Sequence, residues 1–205
     1  MARTDNASLP PEFLRRLRQL EEVYLTSADP TRQSGFAGGG ERWRREREPI
    51  LEGLRAGGDL LDACCANGYL LESLMEWGQA RGVEIKPFGI DQGARLIELA
   101  RRRLPRFAGH FQVANAWNWH PPRRYQYVYA LWDCVPEDYL AEFVRRLMDR
   151  FVAPEGRLIL GAYGSVSRNE QPFDVEKFLS SAGYPVCGAA MGGAPPISQF
   201  AWVDR

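Results

Sequence analysis

The sequence predicts an α/β protein: a parallel sheet of seven strands, with two helices ahead of it. Three observations predict this. After Gly57-Gly58, apolar runs of strand length alternate with amphipathic helical segments, the pattern of parallel strands joined by right-handed crossovers. Two of those strands end in a carboxylate just before a helix, at Asp62 and Asp91. The 205 residues are 45% hydrophobic and 12% aromatic, enough for one packed core and too apolar for a disordered chain.

Taken in order, residues 1–11 carry few apolar groups and read as a lead-in ending in Pro10-Pro11. A first helix begins at Glu12, with Phe13, Leu17, Leu20 and Tyr24 at helical spacing, and Asp29-Pro30 stops it. The stretch Gln33 to Gly40 is a glycine-hinged loop around Phe36. A second helix spans residues 41–56, with Trp43, Ile50 and Leu54 as its apolar stripe and Arg47 on the same stripe. Strands follow at 59–65, 85–91, 111–114, 125–132, 156–163, 184–189 and 198–203. Helices are expected at 69–81, 94–104, 137–151 and 174–182. Residues 1–56 thus form a helical cap with a lid loop, and residues 57–205 one α/β domain.

Charge and composition exclude several functions. Lys+Arg and Asp+Glu both number 26, which argues against a protein built to grip a phosphate backbone. Lys86 and Lys177 are the only lysines; the other basic residues are arginines. The runs at Arg42–Arg47 and Arg101–Arg106 read as solvated helix faces rather than a nucleic-acid surface. No apolar run approaches the roughly 18 residues of a membrane helix, and no secretory leader is visible at Met1. Cys64, Cys65, Cys134 and Cys187 form neither a CxxC pair nor a disulfide framework, so a reducing cytoplasm is the expected location.

The chemistry concentrates where strands end. Leu60-Leu61-Asp62-Ala63-Cys64-Cys65-Ala66-Asn67-Gly68 is a buried strand ending in an acid, followed by a turn of small residues that lets a ligand approach the backbone. Phe88-Gly89-Ile90-Asp91 presents a second acid, the usual partner of a ribose diol. Asn115-Ala116-Trp117 adds an amide and an indole suited to a purine. Together the three strand ends suit an adenine nucleoside.

In these motifs the chain resembles the class I S-adenosylmethionine-dependent methyltransferases. Leu61 to Gly68 matches the family's glycine-rich motif I, although its first two glycine positions hold Cys64 and Ala66. Gly89-Ile90-Asp91 matches the ribose-binding acid, Asn115-Ala116 the adenine-contacting strand end, Ala130-Leu131-Trp132-Asp133 the motif IV position, and Pro154-Glu155-Gly156 the turn before the fifth strand. The resemblance runs from residue 57 to the C-terminus. It implies a mostly parallel seven-stranded sheet with helices on both faces and S-adenosyl-L-methionine as cofactor. It places Asp62, Cys64, Ala66, Asn67 and Gly68 along the methionine and sugar, Asp91 at the ribose, and Asn115, Ala116 and Trp117 around the adenine, with Gln92 and Leu131 also in contact with the cofactor. Trp132, Asp133, Tyr163 and Phe36 are expected to frame a small-molecule methyl acceptor. No Asn-Pro-Pro-Tyr sequence and no acidic metal cluster are recognisable, so no metal is expected.

Several residues carry two readings. Asp62 and Asp91 suit either cofactor contact or helix capping. Arg47 suits either the cofactor carboxylate or a contact with Trp43 or Glu48. The 33–40 loop is a lid or a plain solvent loop, and Asp133 orients the acceptor or caps the next helix. Cys64 and Cys65 read as small packing residues rather than reactive thiols, and His120 as a loop residue. Two other functions stay open: an S-adenosylmethionine-binding module without turnover, and an NAD-dependent oxidoreductase. The latter lacks Gly-x-Gly-x-x-Gly and would set its pyrophosphate against Asp62. Nothing in the sequence fixes an oligomeric state.

Overall fold

A computed structural model describes residues 8–205, so most of the predicted lead-in lies outside the described residues. The strands β1 (Gly58–Asp62), β2 (Ile85–Asp91), β3 (Phe111–Val113), β4 (Tyr125–Leu131), β5 (Val152–Tyr163), β6 (Val186–Gly192) and β7 (Ser198–Asp204) form one sheet, in the order β3-β2-β1-β4-β5-β7-β6. All neighbours are parallel except β7, which is antiparallel to both β5 and β6. The reversal follows from the short 193–197 connection: a parallel neighbour needs a crossover of a dozen or more residues, whereas a short turn returns antiparallel.

The helices are α1 (Pro11–Tyr24), α2 (Gly40–Arg47), α3 (Tyr69–Ala80), α4 (Ala94–Arg103), α5 (Glu137–Arg146) and α6 (Val175–Ser181). Strand side chains alternate between two cores. Leu61, Val128, Leu158 and Leu160 face Leu140, Phe143 and Leu179 of α5 and α6. Leu60, Tyr127, Tyr129 and Ile159 face Trp43, Leu71, Leu74 and Ile97 of α2, α3 and α4. This period of two, buried on both faces, is why the strands read as continuous apolar runs.

Several boundaries differ from the sequence reading: the first helix ends at Tyr24 and β1 at Asp62, and others shift for local reasons. The second helix stops at Arg47 and continues as a 3-10 helix over Glu48–Gly53, because Pro49 has no N–H to give to the helix. The carbonyl of Arg45 accepts instead from Gly193 N, and that of Glu46 from Ser198 Oγ, fastening α2 to the β6–β7 turn. β5 starts at Val152 rather than Gly156. Val152 pairs with Tyr125, and the register then shifts past the Pro154-Glu155-Gly156 segment. β6 starts at Val186, because Pro185 cannot donate to a ladder, and it extends to Gly192. The expected 137–151 helix is α5 plus a π-helical turn over Leu147–Phe151.

The arginines are mostly paired. Arg157 is buried between Asp204, at 2.7 Å, and the Gly53 carbonyl, at 3.0 Å. Arg42 pairs with Glu46, Arg44 with Glu48 and Arg103 with Glu72, as expected of helix faces balanced by acids. Among the described residues no helix is long and apolar enough to cross a membrane.

The start of β1 hangs on one hydroxyl. Tyr127 Oη accepts from the N–H groups of Arg55 and Ala56, both at 3.2 Å, and donates to the Ala56 carbonyl at 3.1 Å. Tyr127→Phe leaves these groups without that partner and is expected to cost about 1–2 kcal/mol in urea unfolding, with the fold retained by circular dichroism.

Candidate active site

The strand order reverses between β1 and β4, and an open α/β sheet binds ligands outside the carboxyl ends of strands at such a point. A cavity of about 190 Å³ lies there, many times the roughly 10–15 Å³ that one water requires. Its floor is Cys64 and Ala66 after β1, Asp91 to Gly93 after β2, Ala114 to Ala116 after β3, and Leu131, Asp133 and Cys134 after β4. Its roof is α1, through Leu17, Leu20, Glu21 and Tyr24.

Asp91 is held by backbone donors. Its Oδ1 accepts from Gly93 N at 2.8 Å and its Oδ2 from Ala66 N at 3.0 Å. Burial raises its pKa, and these bonds and that of Gln92 N act the other way. The neighbouring Gln92 accepts from Asn115 Nδ2 at 3.2 Å through Oε1, while its buried Nε2 has no partner. Asn115 Oδ1 accepts from Trp117 N at 2.9 Å. An orphaned donor beside a carboxylate in a cavity has the polarity that a hydroxyl-rich ligand satisfies.

Asn67 does not face the cavity. Fully buried, it donates to the Pro30 carbonyl at 3.0 Å and to Gln33 Oε1 at 3.1 Å, and accepts from Ser34 Oγ at 2.6 Å and Tyr69 N at 3.1 Å. It therefore ties the 30–34 segment to the turn after β1. Gly68 follows with φ +73°, and a Cβ there would come 3.0 Å from Ala100 of α4, so only glycine fits both constraints. Ala66, at φ 45°, takes a left-handed conformation in spite of its methyl group.

Behind the cavity lies a second charged group. Asp62 is buried, its Oδ1 accepting only a long bond of 3.2 Å from Cys64 N, and burial pushes its carboxyl up to about 7. Arg47 is buried as well. Its guanidinium stacks on Trp43, Phe36 and Tyr163, with centroid distances of 3.9, 4.2 and 4.3 Å. Glu46 Oε2 is 3.5 Å away, yet Arg47 Nη1 has no hydrogen-bond acceptor. Tyr163 feels the charges of both Arg47 and Asp62 and hydrogen-bonds Tyr129 Oη at 3.0 Å.

No family model matches the sequence, and no curated protein matches it either. Solved structures do. Magnesium protoporphyrin IX methyltransferase (ChlM) from Synechocystis PCC 6803, crystallised with bound SAM, superposes with a TM-score of 0.61 over 98% of this chain and 99% of that one, at 15% identity. A DhpI–SAH complex gives 0.57 at 17% identity, over 95% of this chain and 93% of that one. A chain solved in the complex with the Haloferax volcanii Trm112 methyltransferase activator gives 0.64 at 12% identity, over 92% and 96%. The chain has the class I methyltransferase fold.

On that fold the structure gathers some predicted residues and separates others. Cys64, Ala66, Asp91, Gln92, Asn115, Ala116, Leu131 and Asp133 line the cavity. Asp62, Arg47 and Tyr163 lie outside the lining, with Arg47 stacked on Tyr163 and Asp62 acting on that same ring's hydroxyl, and Asn67 and Gly68 shape the turn. Trp117 is not at the cavity: it is buried in the core, under the Arg146 guanidinium and edge-on to Tyr139. Trp132 stacks on Phe173 at 4.4 Å, also away from the lining. Phe36 is not a lid tip; it packs against Trp43 and Arg47, and of the 33–40 loop only Ser34 reaches the cavity. His120 lies in an exposed loop.

Sequence reasoning missed α1 as the roof, with Tyr24 as its deepest group. Burial, then the charges of Asp133 and Asp91, push the Tyr24 hydroxyl up to about 12. The signal was present: Leu17, Leu20 and Tyr24 form a stripe that needs a partner, although no residue of α1 is fully buried. Cys134 was also missed, having no motif to mark it. Among the described residues no group of three or more His, Cys, Asp or Glu side chains could hold a metal.

The Asp62 proton has a measurable consequence. The folded chain holds it up to pH about 7, the unfolded chain only to the ordinary 3.8. The stability it contributes is complete below the lower value and lost as pH rises to the upper one. Asp62→Asn removes this component, so urea midpoints compared at the two ends of that window are expected to fall more for the natural chain than for the variant.

Proposed function

We propose that the chain is an S-adenosyl-L-methionine-dependent methyltransferase acting on a small-molecule acceptor. The observation that carries this is the cavity at the switch point, where the Asp91 carboxylate and the orphaned Gln92 amide meet between β2 and β3. Bound S-adenosylmethionine supplies a methyl group on a sulfonium, activated for direct displacement.

Each cavity group then has a task. Asp91 accepts from the ribose hydroxyls, and Gln92 Nε2 supplies a donor beside it. Ala114 and Ala116, small and uncharged, leave space for a flat base. Asp62 and Arg47, which both act on Tyr163, match the two charges of an amino acid: the ammonium beside Asp62, the carboxylate toward the unsatisfied Arg47 Nη1. Each otherwise costs desolvation energy as a buried charge without a full partner.

At the other end of the cavity stands Asp133. Burial pushes its carboxyl up, partly offset by the charge of Arg16. A buried carboxylate raised in this way is suited to orienting an acceptor hydroxyl or amine and taking its proton. The roof of α1 limits the acceptor to a small molecule, since a folded polymer cannot pass beneath it. Trp132 is stacked on Phe173 away from the lining, and Tyr163 supports the Arg47 guanidinium behind it.

Calorimetry with S-adenosylhomocysteine tests the reading. Asp91→Ala is expected to weaken binding by about ten- to hundredfold, the value of one or two charge-assisted hydrogen bonds; unchanged affinity removes Asp91 from the site. Below pH about 7 Asp62 is protonated in the free chain, so an arriving ammonium displaces a proton. Binding heats measured in buffers of different ionisation enthalpy are expected to show that release, and Asp62→Asn to abolish it. Binding of NAD in place of S-adenosylhomocysteine defeats the proposal. Cofactor binding with no product from a broad metabolite panel favours a module without turnover.

A further inference from the structure

We propose that Cys64 and Cys134 are a disulfide-forming pair inside the cavity, a modification site for which the occupant of the cavity competes. Cys64 lies in the turn after β1 and Cys134 in the turn after β4, and these strands are direct neighbours, Asp62 pairing with Tyr129. Both side chains line the same cavity, both are partly exposed, and both are free. Each sulfur acts on the other and burial raises both thiols, so the two are neighbours at the cavity wall.

The other cysteines do not compete. Cys65 follows Cys64 in sequence but points to the opposite core, where its sulfur lies 3.7 Å from the Ala66 carbonyl and where a Cβ on Gly89 would meet it at 2.6 Å. Cys187 is exposed on β6.

The oxidant is a low-molecular-weight disulfide such as oxidised glutathione. One cysteine, having lost its proton, attacks a reagent sulfur; the reagent S–S bond breaks, and one glutathione leaves with the electron pair and is protonated. The second cysteine, on losing its proton, attacks the mixed disulfide and releases the other glutathione. Two protein thiols are oxidised to one disulfide, and one reagent disulfide is reduced to two thiols. Both thiols line the cavity, so a molecule filling it hinders the reaction. The choice of S-adenosylhomocysteine as that molecule rests on the proposed function; the pairing does not.

The test incubates the folded chain with oxidised glutathione and maps its peptides by mass. The expected product joins Cys64 to Cys134, is lower in mass by two hydrogens, and reverts with dithiothreitol. Glutathione on Cys187 shows that the reagent is active. Cys134→Ser is expected to trap glutathione on Cys64. A Cys64–Cys65 link, or a modified Cys187 with no Cys64–Cys134 link, overturns the pairing. Saturating S-adenosylhomocysteine is expected to slow the link about tenfold or more; an equal rate with the ligand shown bound by calorimetry overturns the competition. If calorimetry shows no binding, the proposed function fails, competition is read with whichever ligand then proves to fill the cavity, and the peptide map still decides the pairing.

Discussion

The geometry of the site depends on the side-chain amide of Asn67. It is fully buried, and it uses two donors and its acceptor on four partners, three of them in the 30–34 segment. A buried amide satisfied in this way is stable only while every partner stays in place, since each unmet group costs about 1–3 kcal/mol. The turn after β1 and the chain leading out of α1 are therefore fixed together. The position of Gly68 at the start of α3, the position of Ser34 at the cavity and the course of the chain below α1 all depend on that bond set. A residue whose type suits ligand contact is used to build the wall instead.

A second constraint is electrostatic. Asp62, Asp91 and Asp133 end three neighbouring strands, and burial raises all three. In Asp91, backbone N–H groups oppose the burial. Asp62 has one long bond only and stays close to neutral. Arg47 nearby is held by aromatic faces that support its charge without using its N–H groups. Asp62 and Arg47 are thus each buried short of a full partner, a costly arrangement in an interior.

The sheet was readable because its strands are buried on both faces and end in acids, so period, length and motif agree; β2 begins and ends where the pattern of residues 85–91 says. Asp91, Gln92 and Asn115 were readable for the same reason, since a strand end at a switch point has one direction in which to face. What failed was local competition. Trp117 suits a purine by type, but Arg146 and Tyr139 claim its ring in the core. Phe36 sits among glycines like a lid tip, yet Arg47 and Trp43 draw it inward. Pro49 hides a helix end inside an amphipathic pattern. The roof was missed because a stripe on a helix shows that it docks and not where.

The roof is also lightly anchored. α1 buries no residue fully, and at its cavity end its polar fastening is Glu21 and Glu22 on the Arg95 backbone and side chain. Segments with few buried contacts open far more often than the whole chain unfolds. Opening of α1 therefore governs how fast a ligand beneath it exchanges, while the closed form that roofs the cavity sets the affinity. Exposed residues of α1 that never touch the contents can then tune how long the cavity holds them.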